Sequence, residues 1–283
     1  MNPDDKNIVK LFDRFPFLYS LYSNLGIKDI RNQTKNIKKK LRKDSYIVTF
    51  EGFKMVLDDH SYMDLSLYKE FLEYGLYEPN ITKYIKKNLR PGSTFVDIGA
   101  NSGYYSLLAS SLVGADGIVI SFEPYPDTFN RLLHNVKFNG IDNVRLYNMA
   151  LSSYDGKAKL YVSRASDGLN SLKSIPLVEG AIDVEIKRFD TICGSESVDM
   201  IKIDAEGSEC DIIDGAQSSL IKNPRIQIIY EINRAFRGSA DTISKLEEIG
   251  FSSYIVKNGV ISGKVSHLEE IPRDIDNLIA IRK

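Results

Sequence analysis

Five carboxylates, one lysine and a pair of glycines in this chain have the spacing of a ligand crevice. Thr94-Phe95-Val96-Asp97-Ile98 is an apolar, β-branched run interrupted near its end by an acid. Gly99-Ala100-Asn101-Ser102-Gly103 follows, and Tyr104 to Leu112 has a helical pattern. The segment therefore predicts a strand, a tight loop and a helix N-terminus. A second run, Gly117 to Glu123, also ends on an acid, and Pro124 and Pro126 stop it there. Further on, Lys202, Asp204 and Glu206 cluster at the end of a third apolar run. Glu231 and Asn233 end a fourth.

Glycine turns that hold a dinucleotide read G-x-G-x-x-G and aim free N–H groups at a pyrophosphate. Here the spacing is G-x-x-x-G, and Asp97 stands at the strand end, where it repels phosphate. A ligand with an ammonium and a sulfonium suits that site, and S-adenosylmethionine (SAM) carries both. Glu123 is placed to accept hydrogen bonds from both ribose hydroxyls. The competing reading makes Asp97 and Glu123 helix caps or loop acids.

The elements that must position these residues alternate. Strand 94–98 precedes helix 103–113, strand 118–122 precedes helix 127–139, and strand 143–148 follows. Residues 158–162 and 181–187 predict an antiparallel insertion around the loop 163–180. A strand at 198–204, a helix at 208–220, a strand at 225–232, a helix at 242–249 and runs at 251–256 and 278–281 complete the pattern. This predicts an α/β fold, a Rossmann-like, mostly parallel seven-stranded sheet with helices on both faces. Before it, 46–57 reads as a hairpin turning at Glu51-Gly52, and 68–74 and 80–88 as short helices. The expected organisation is a basic helical arm over 1–45, a hairpin-and-helix cap over 46–90, and a ligand-binding domain over 91–283.

At 283 residues, 43% hydrophobic and 27% charged, the chain has the composition of a soluble globular protein. Its polar start predicts no secretory signal, and Cys193 and Cys210 make neither a disulfide framework nor a zinc spacing, so a cytoplasmic protein is expected. Residues 1–43 hold 11 basic against 4 acidic side chains, so the formal charge of −1 leaves −8 on the rest. An acidic body argues against nucleic acid as a partner. The arm, with Phe12, Phe15 and Phe17 before its lysines, suits either peripheral contact with the inner membrane surface or a helical cap on the domain. Oligomeric state is not legible.

The segments F-V-D-I-G-A-N-S-G-Y-Y-S (95–106), S-F-E-P (121–124), N-M-A-L-S (148–152), D-M-I-K-I-D-A-E-G-S-E (199–209) and I-I-Y-E-I-N (228–233) resemble the FkbM-type SAM-dependent methyltransferases. The similarity runs from about Glu70 to the C-terminus. It implies SAM as cofactor and O-methylation of a hydroxyl on a sugar, glycan, glycolipid or similar polyol. Asp97, Gly99, Ala100, Asn101, Gly103, Glu123, Pro124, Met149, Ala150 and Asp204 are then the expected cofactor-binding residues. An alcohol must lose its proton as it takes the methyl group, and a carboxylate within reach can accept it. Asp204 or Glu206 is the candidate base, with Glu206 equally suited to capping the next helix. Lys202, flanked by Ile201 and Ile203, points into the site or covers the sheet. Asn170 and Ser171, in the polar loop 163–180, together with Glu231 and Asn233, are the candidates for binding the acceptor. Asp204, Glu231 and Asn233 could also ligate a hard divalent cation, but substrate hydrogen bonding is the preferred reading and no metal is expected. The alternatives are an NAD-dependent Rossmann oxidoreductase or epimerase, disfavoured by Asp97 and the glycine spacing, and a noncatalytic SAM-binding, membrane-associated protein.

Overall fold

The computed structural model describes residues 45–58, 60–163, 166–173, 178–233 and 238–282. The basic arm expected over 1–45 falls, but for Ser45, outside them. The chain begins there with a hairpin, β1 (Ser45–Phe50) and β2 (Phe53–Asp58), that turns at Glu51-Gly52. Helix α1 (Tyr62–Tyr74) starts six residues earlier than the sequence reading placed it. The reason is a cap: the Ser61 hydroxyl accepts from the Asp64 N–H and satisfies one of the free donors of the first turn. Helix α2 (Pro79–Asn88) leads to the main sheet.

That sheet is built from β3 (Thr94–Ile98), β4 (Ile118–Phe122), β5 (Val144–Tyr147), β9 (Met200–Ile203), β10 (Gln227–Glu231), β11 (Ser252–Lys257), β12 (Val260–Val265) and β13 (Asn277–Ile281). Their order is β12-β11-β13-β10-β9-β3-β4-β5. Strands β10, β9, β3, β4 and β5 run parallel, while β13 lies antiparallel between β10 and β11. The seven expected strands are all present. The correction is an eighth, β12, hairpinned onto the edge strand β11 through Asn258-Gly259, both at positive φ. Its V-I-S-G-K-V run, with Ser262, Gly263 and Lys264 between its apolar ends, gave no strong strand signal.

Helix α3 (Tyr104–Val113) packs on β3 and β4, and α4 (Pro126–Phe138) connects β4 to β5. The expected insertion forms a separate sheet in which β7 (Gly156–Ser163) and β8 (Val178–Lys187) pair antiparallel and β6 (Ala150–Leu151) joins β8. A short α5 (Phe189–Cys193) precedes β9. The single helix expected over 208–220 is two, α6 (Glu209–Gly215) and α7 (Gln217–Lys222). The break falls where Gly215 packs so closely on Ser152 that a Cβ there would lie 2.1 Å from its carbonyl oxygen. Helix α8 (Gly238–Glu248) packs against α6 and β11. No helix among the described residues is long and apolar enough to cross a membrane.

Alternation along the strands divides the sheet into two faces. Val96, Ile98, Ile120, Phe122, Ile201, Ile203, Ile228 and Tyr230 belong to one apolar cluster with Phe189, Ile212, Ile213 and Leu246. The opposite face carries a polar row near the strand tips. Ser121, Asp97 and Lys202 sit side by side in register on β4, β3 and β9, all but fully buried.

Candidate active site

The glycine loop after β3 is held by main chain. The N–H groups of Gly99 and Ala100 both donate to Phe122 O, at 3.0 Å, and Asp204 N donates to Ile98 O at 2.9 Å. Gly99 has φ +79°, and a Cβ there would stand 1.8 Å from Asp204 O, so only glycine fits between the two strand ends. Gly103 has φ +101°, and its Cβ would meet Leu132 Cδ1 at 2.6 Å, which ties the start of α3 to α4. Asn101, at φ 48°, turns its own side chain back to accept from Ser102 N at 2.7 Å.

Above these strand ends lies a cavity of about 260 Å³. Gly99, Ala100, Asn101, Gly103, Glu123, Pro124, Met149, Ala150, Asn170, Lys202, Asp204, Glu206 and Glu231, all predicted from sequence, line it. The Glu123 carboxylate is clamped by two backbone donors, Asn101 N–H on Oε2 at 3.0 Å and Tyr125 N–H on Oε1 at 2.9 Å. Burial pushes its pKa up to about 7, against the pull of those two donors. Each oxygen keeps a further lone pair for a hydroxyl. Phe122, Met149, Leu151 and Leu172 give the neighbouring wall an apolar surface suited to a flat base. An adenosyl ligand therefore fits this donor set.

Three predicted residues lie outside the lining. Asp97 is turned under α3, where its Oδ2 accepts from the Ser106 hydroxyl at 2.6 Å; burial pushes it up to about 6. Ser171 stands behind the wall, its hydroxyl donating to Glu206 O at 2.6 Å. Asn233 supports from outside by donating to Glu206 Oε2 at 2.9 Å.

At the tips of β9 and β10 the chemistry changes. Lys202 points inward: its Nζ meets Asp204 Oδ2 at 2.7 Å and lies 4.7 Å from the centre of the Tyr105 ring. Burial works to lower its pKa, but the charges of Asp204, Glu78 and Asp97 together outweigh it and hold the ammonium above the ordinary lysine range. Glu206 sits at φ 47°, a costly conformation for a glutamate. It does not cap α6, whose N-cap Ser208 makes no side-chain capping bond; Glu209 Oε1 accepts from the N–H groups of Ala205 and Gly207 and braces the turn before the helix. Burial and then the charge of Asp204 push both Glu206 and Glu231 well above the usual carboxylate range. Oxygens of Asp204, Glu206 and Glu231 lie within 4.8 Å of one another.

Several wall residues were not singled out from sequence. Tyr77 and Glu78 come from the turn before α2, Tyr104 and Tyr105 from the first turn of α3, and Met63 and Leu67 from α1. Asp167 and Gly168, also in the wall, belong to the polar loop 163–180 that the sequence points to. That loop is clasped to α1 and α4: Asp167 accepts from the Ser61 hydroxyl at 2.6 Å and from Arg131, whose Nε lies 3.7 Å from the buried Asp64. The double tyrosine behind Gly103 and the Tyr-Glu-Pro before α2 were the available signals, and neither has a periodicity that marks it.

A parallel five-stranded core, extended by a reversed strand and carrying acids at its strand tips, defines an α/β enzyme that takes a nucleoside-type ligand across those tips. The profile of the Methyltransferase FkbM domain matches residues 97–253, more than half of the sequence. The chain belongs to the FkbM methyltransferase family, and it is a SAM-dependent methyltransferase; the dinucleotide alternative is set aside. It is 26% identical to the 2-O-methyltransferase NoeI of Sinorhizobium fredii over 193 residues, 60% of this chain and 78% of that one. With the hexuronic acid methyltransferase AglP of Haloferax volcanii it shares 25% identity over 147 residues, 50% of this chain and 58% of AglP. Among solved structures it is similar to a SAM-dependent O-methyltransferase from Thermotoga maritima, at TM-score 0.45 and 14% identity, covering 76% of this chain and 71% of the other.

Proposed function

We propose that this enzyme methylates a hydroxyl of a sugar, glycan, glycolipid or similar polyol, with Asp204 as the base. The observation that carries the reading is the Lys202–Asp204 ion pair at one side of a cavity whose other side ends at Glu123. SAM, when bound, supplies an electrophilic methyl group on a sulfonium. Glu123 would hold its ribose hydroxyls, the glycine loop would let the main chain approach it, and Met149 and Ala150 would border its base. Asp204 shares its charge with a buried lysine, while Glu206 and Glu231 are driven toward the neutral acid. Asp204 is thus the proton acceptor, and the two glutamates, with Asn170 beside them, donate and accept hydrogen bonds to acceptor hydroxyls. Holding the acceptor oxygen in line is the remaining task, and rigid strand tips serve it.

The relatives support oxygen as the acceptor atom and a sugar as its bearer: one is a 2-O-methyltransferase and another acts on a hexuronic acid. A lipid-borne acceptor would bring the enzyme to the cytoplasmic face of a membrane, the role we assign to the basic residues up to Lys43. The test is incubation of the full chain with methyl-labelled SAM and separate pools of free sugars, uronic acids and extracted glycolipids. Label stable to mild base in a sugar-containing product supports an ether. Label confined to protein, or released by mild base as from an ester, sinks the reading.

A further inference from the structure

The acid expected at the methionine end of the donor was Asp97, yet its carboxylate is committed to Ser106 beneath α3 and lies outside the cavity lining. Another acid stands in that wall. Glu78 precedes α2, outside the segment that matches the family profile, and lines the cavity beside Tyr77, Tyr105 and Lys202. Its backbone has φ 40° and ψ 70°, a left-handed conformation that glutamate rarely adopts. The position is that of a helix N-cap, but the side chain makes no capping hydrogen bond. Glu78 Oε2 instead accepts from the Tyr105 hydroxyl, and Oε1 accepts from Asn277 Nδ2 at 3.3 Å. Its backbone N–H is fixed by Glu70 Oε2 at 2.8 Å. Two anchored oxygens of a carboxylate still have capacity for further donors.

Charge points the same way. Lys202 is the ammonium on which Asp204, Glu78 and Asp97 all act, so three carboxylates share one buried cation. Burial raises the Glu78 carboxyl above its ordinary range against the pull of Lys202, so a further cation beside it would favour the charged form. Glu78 and Asp204 both line the cavity next to Lys202, and Asp97 does not. A cation with N–H donors suits this arrangement.

We propose that Glu78 binds the α-ammonium of the donor's methionine moiety, in the place that the strand-end acid was expected to take. This rests on the assignment of SAM as donor. Tyr105 and Asn277 hold the carboxylate in place, and Lys202 prevents the acids from repelling one another apart. A hydrogen bond of this kind, between two charged groups, is a strong one.

The test compares three ligands by calorimetry on the full chain: SAM, S-adenosylhomocysteine, and methylthioadenosine, which keeps the adenosine and sulfur but lacks the amino acid. Glu78→Gln keeps the shape of the side chain and removes its charge. The expected result is a loss of roughly ten- to hundred-fold in affinity for SAM and S-adenosylhomocysteine, with methylthioadenosine within two-fold of wild type. Asp97→Asn should leave the ratio of SAM to methylthioadenosine affinity unchanged. If Glu78→Gln binds SAM as wild type does, the proposal is overturned. A parallel loss of methylthioadenosine binding, with a lower melting temperature, also overturns it by making Glu78 a structural residue. Wild-type protein that binds none of the three ligands would instead reject the donor assignment itself.

Discussion

At the tips of β3 and β4 the cavity is bounded mainly by backbone: a glycine loop anchored on Phe122 O, and one glutamate fixed by two N–H groups. At the tips of β9 and β10 it is bounded by side chains, with Lys202, Asp204, Glu206 and Glu231 crowded together. The first side is rigid and nearly independent of side-chain choice, which suits a ligand that never changes. The second is electrostatically loaded, so the protonation state of each acid depends on its neighbours. On the proposed reading, the difference separates recognition of a fixed donor from chemistry on a particular acceptor.

The sharpest test of that division is Asp204→Asn. Turnover should fall by ~10²–10⁴-fold, the usual contribution of a general base, while SAM affinity stays within a few-fold. Single-turnover kinetics and calorimetry on the same sample would show it, and unchanged turnover would remove Asp204 as the base. Glu123→Ala should do the reverse. Losing two hydrogen bonds to a carboxylate, each worth about 1.5–3 kcal/mol, should weaken SAM by a hundred-fold or more, whereas turnover at saturating SAM falls much less. If both variants lose affinity and turnover alike, the two sides are not separable.

A smaller effect concerns pH. Asp64, Asp97 and Glu123 are raised by burial from 3.8, 3.8 and 4.5 to about 6, 6 and 7. Because the folded values lie above the unfolded ones, their contribution is complete in acid and is lost as pH climbs through 6 to 7. The melting temperature of the ligand-free protein should therefore drop by roughly 5–10 °C between about pH 5 and 8, and Glu123→Gln should flatten the curve. A steady rise over that interval would contradict it. The smallest effect is expected from chelation. With Lys202 as the cation of the acidic side, exhaustive EDTA treatment should leave turnover unchanged; loss restored by a divalent cation would assign Asp204, Glu206 and Glu231 to a metal.

Much of this architecture was legible beforehand, for reasons specific to each part. Thr94 to Val113 announces strand, turn and helix because β-branched residues, two glycines and a ten-residue run free of Gly and Pro follow one another. Gly99 and Gly103 read correctly because only glycine tolerates their backbone angles against Asp204 and Leu132. Asp97 has the type and spacing of a strand-end ligand, but its carboxylate is taken by the Ser106 hydroxyl of α3, a tertiary contact that spacing does not reveal. Glu78 was invisible for the opposite reason. It lies in a turn before α2, and only the tertiary packing of α2 beside α3 and the start of β13 brings it to the cavity. The hidden strand β12 has its β-branched residues interrupted by Ser262, Gly263 and Lys264, and it is stabilised by pairing with β11.

The contact between Gly99 and the Asp204 carbonyl sets limits on how such an enzyme can diversify. The spacing between donor loop and proposed base is fixed by main chain, so it survives almost any exchange of surrounding side chains. Helix α1, the turn before α2 and the loop 166–173 furnish the rest of the wall from separate stretches of sequence. A descendant can therefore trade one acceptor for another by altering α1 or the loop 166–173 piecemeal, each step leaving the reactive distance intact. What it cannot do is replace Gly99, where a Cβ would collide with the Asp204 carbonyl.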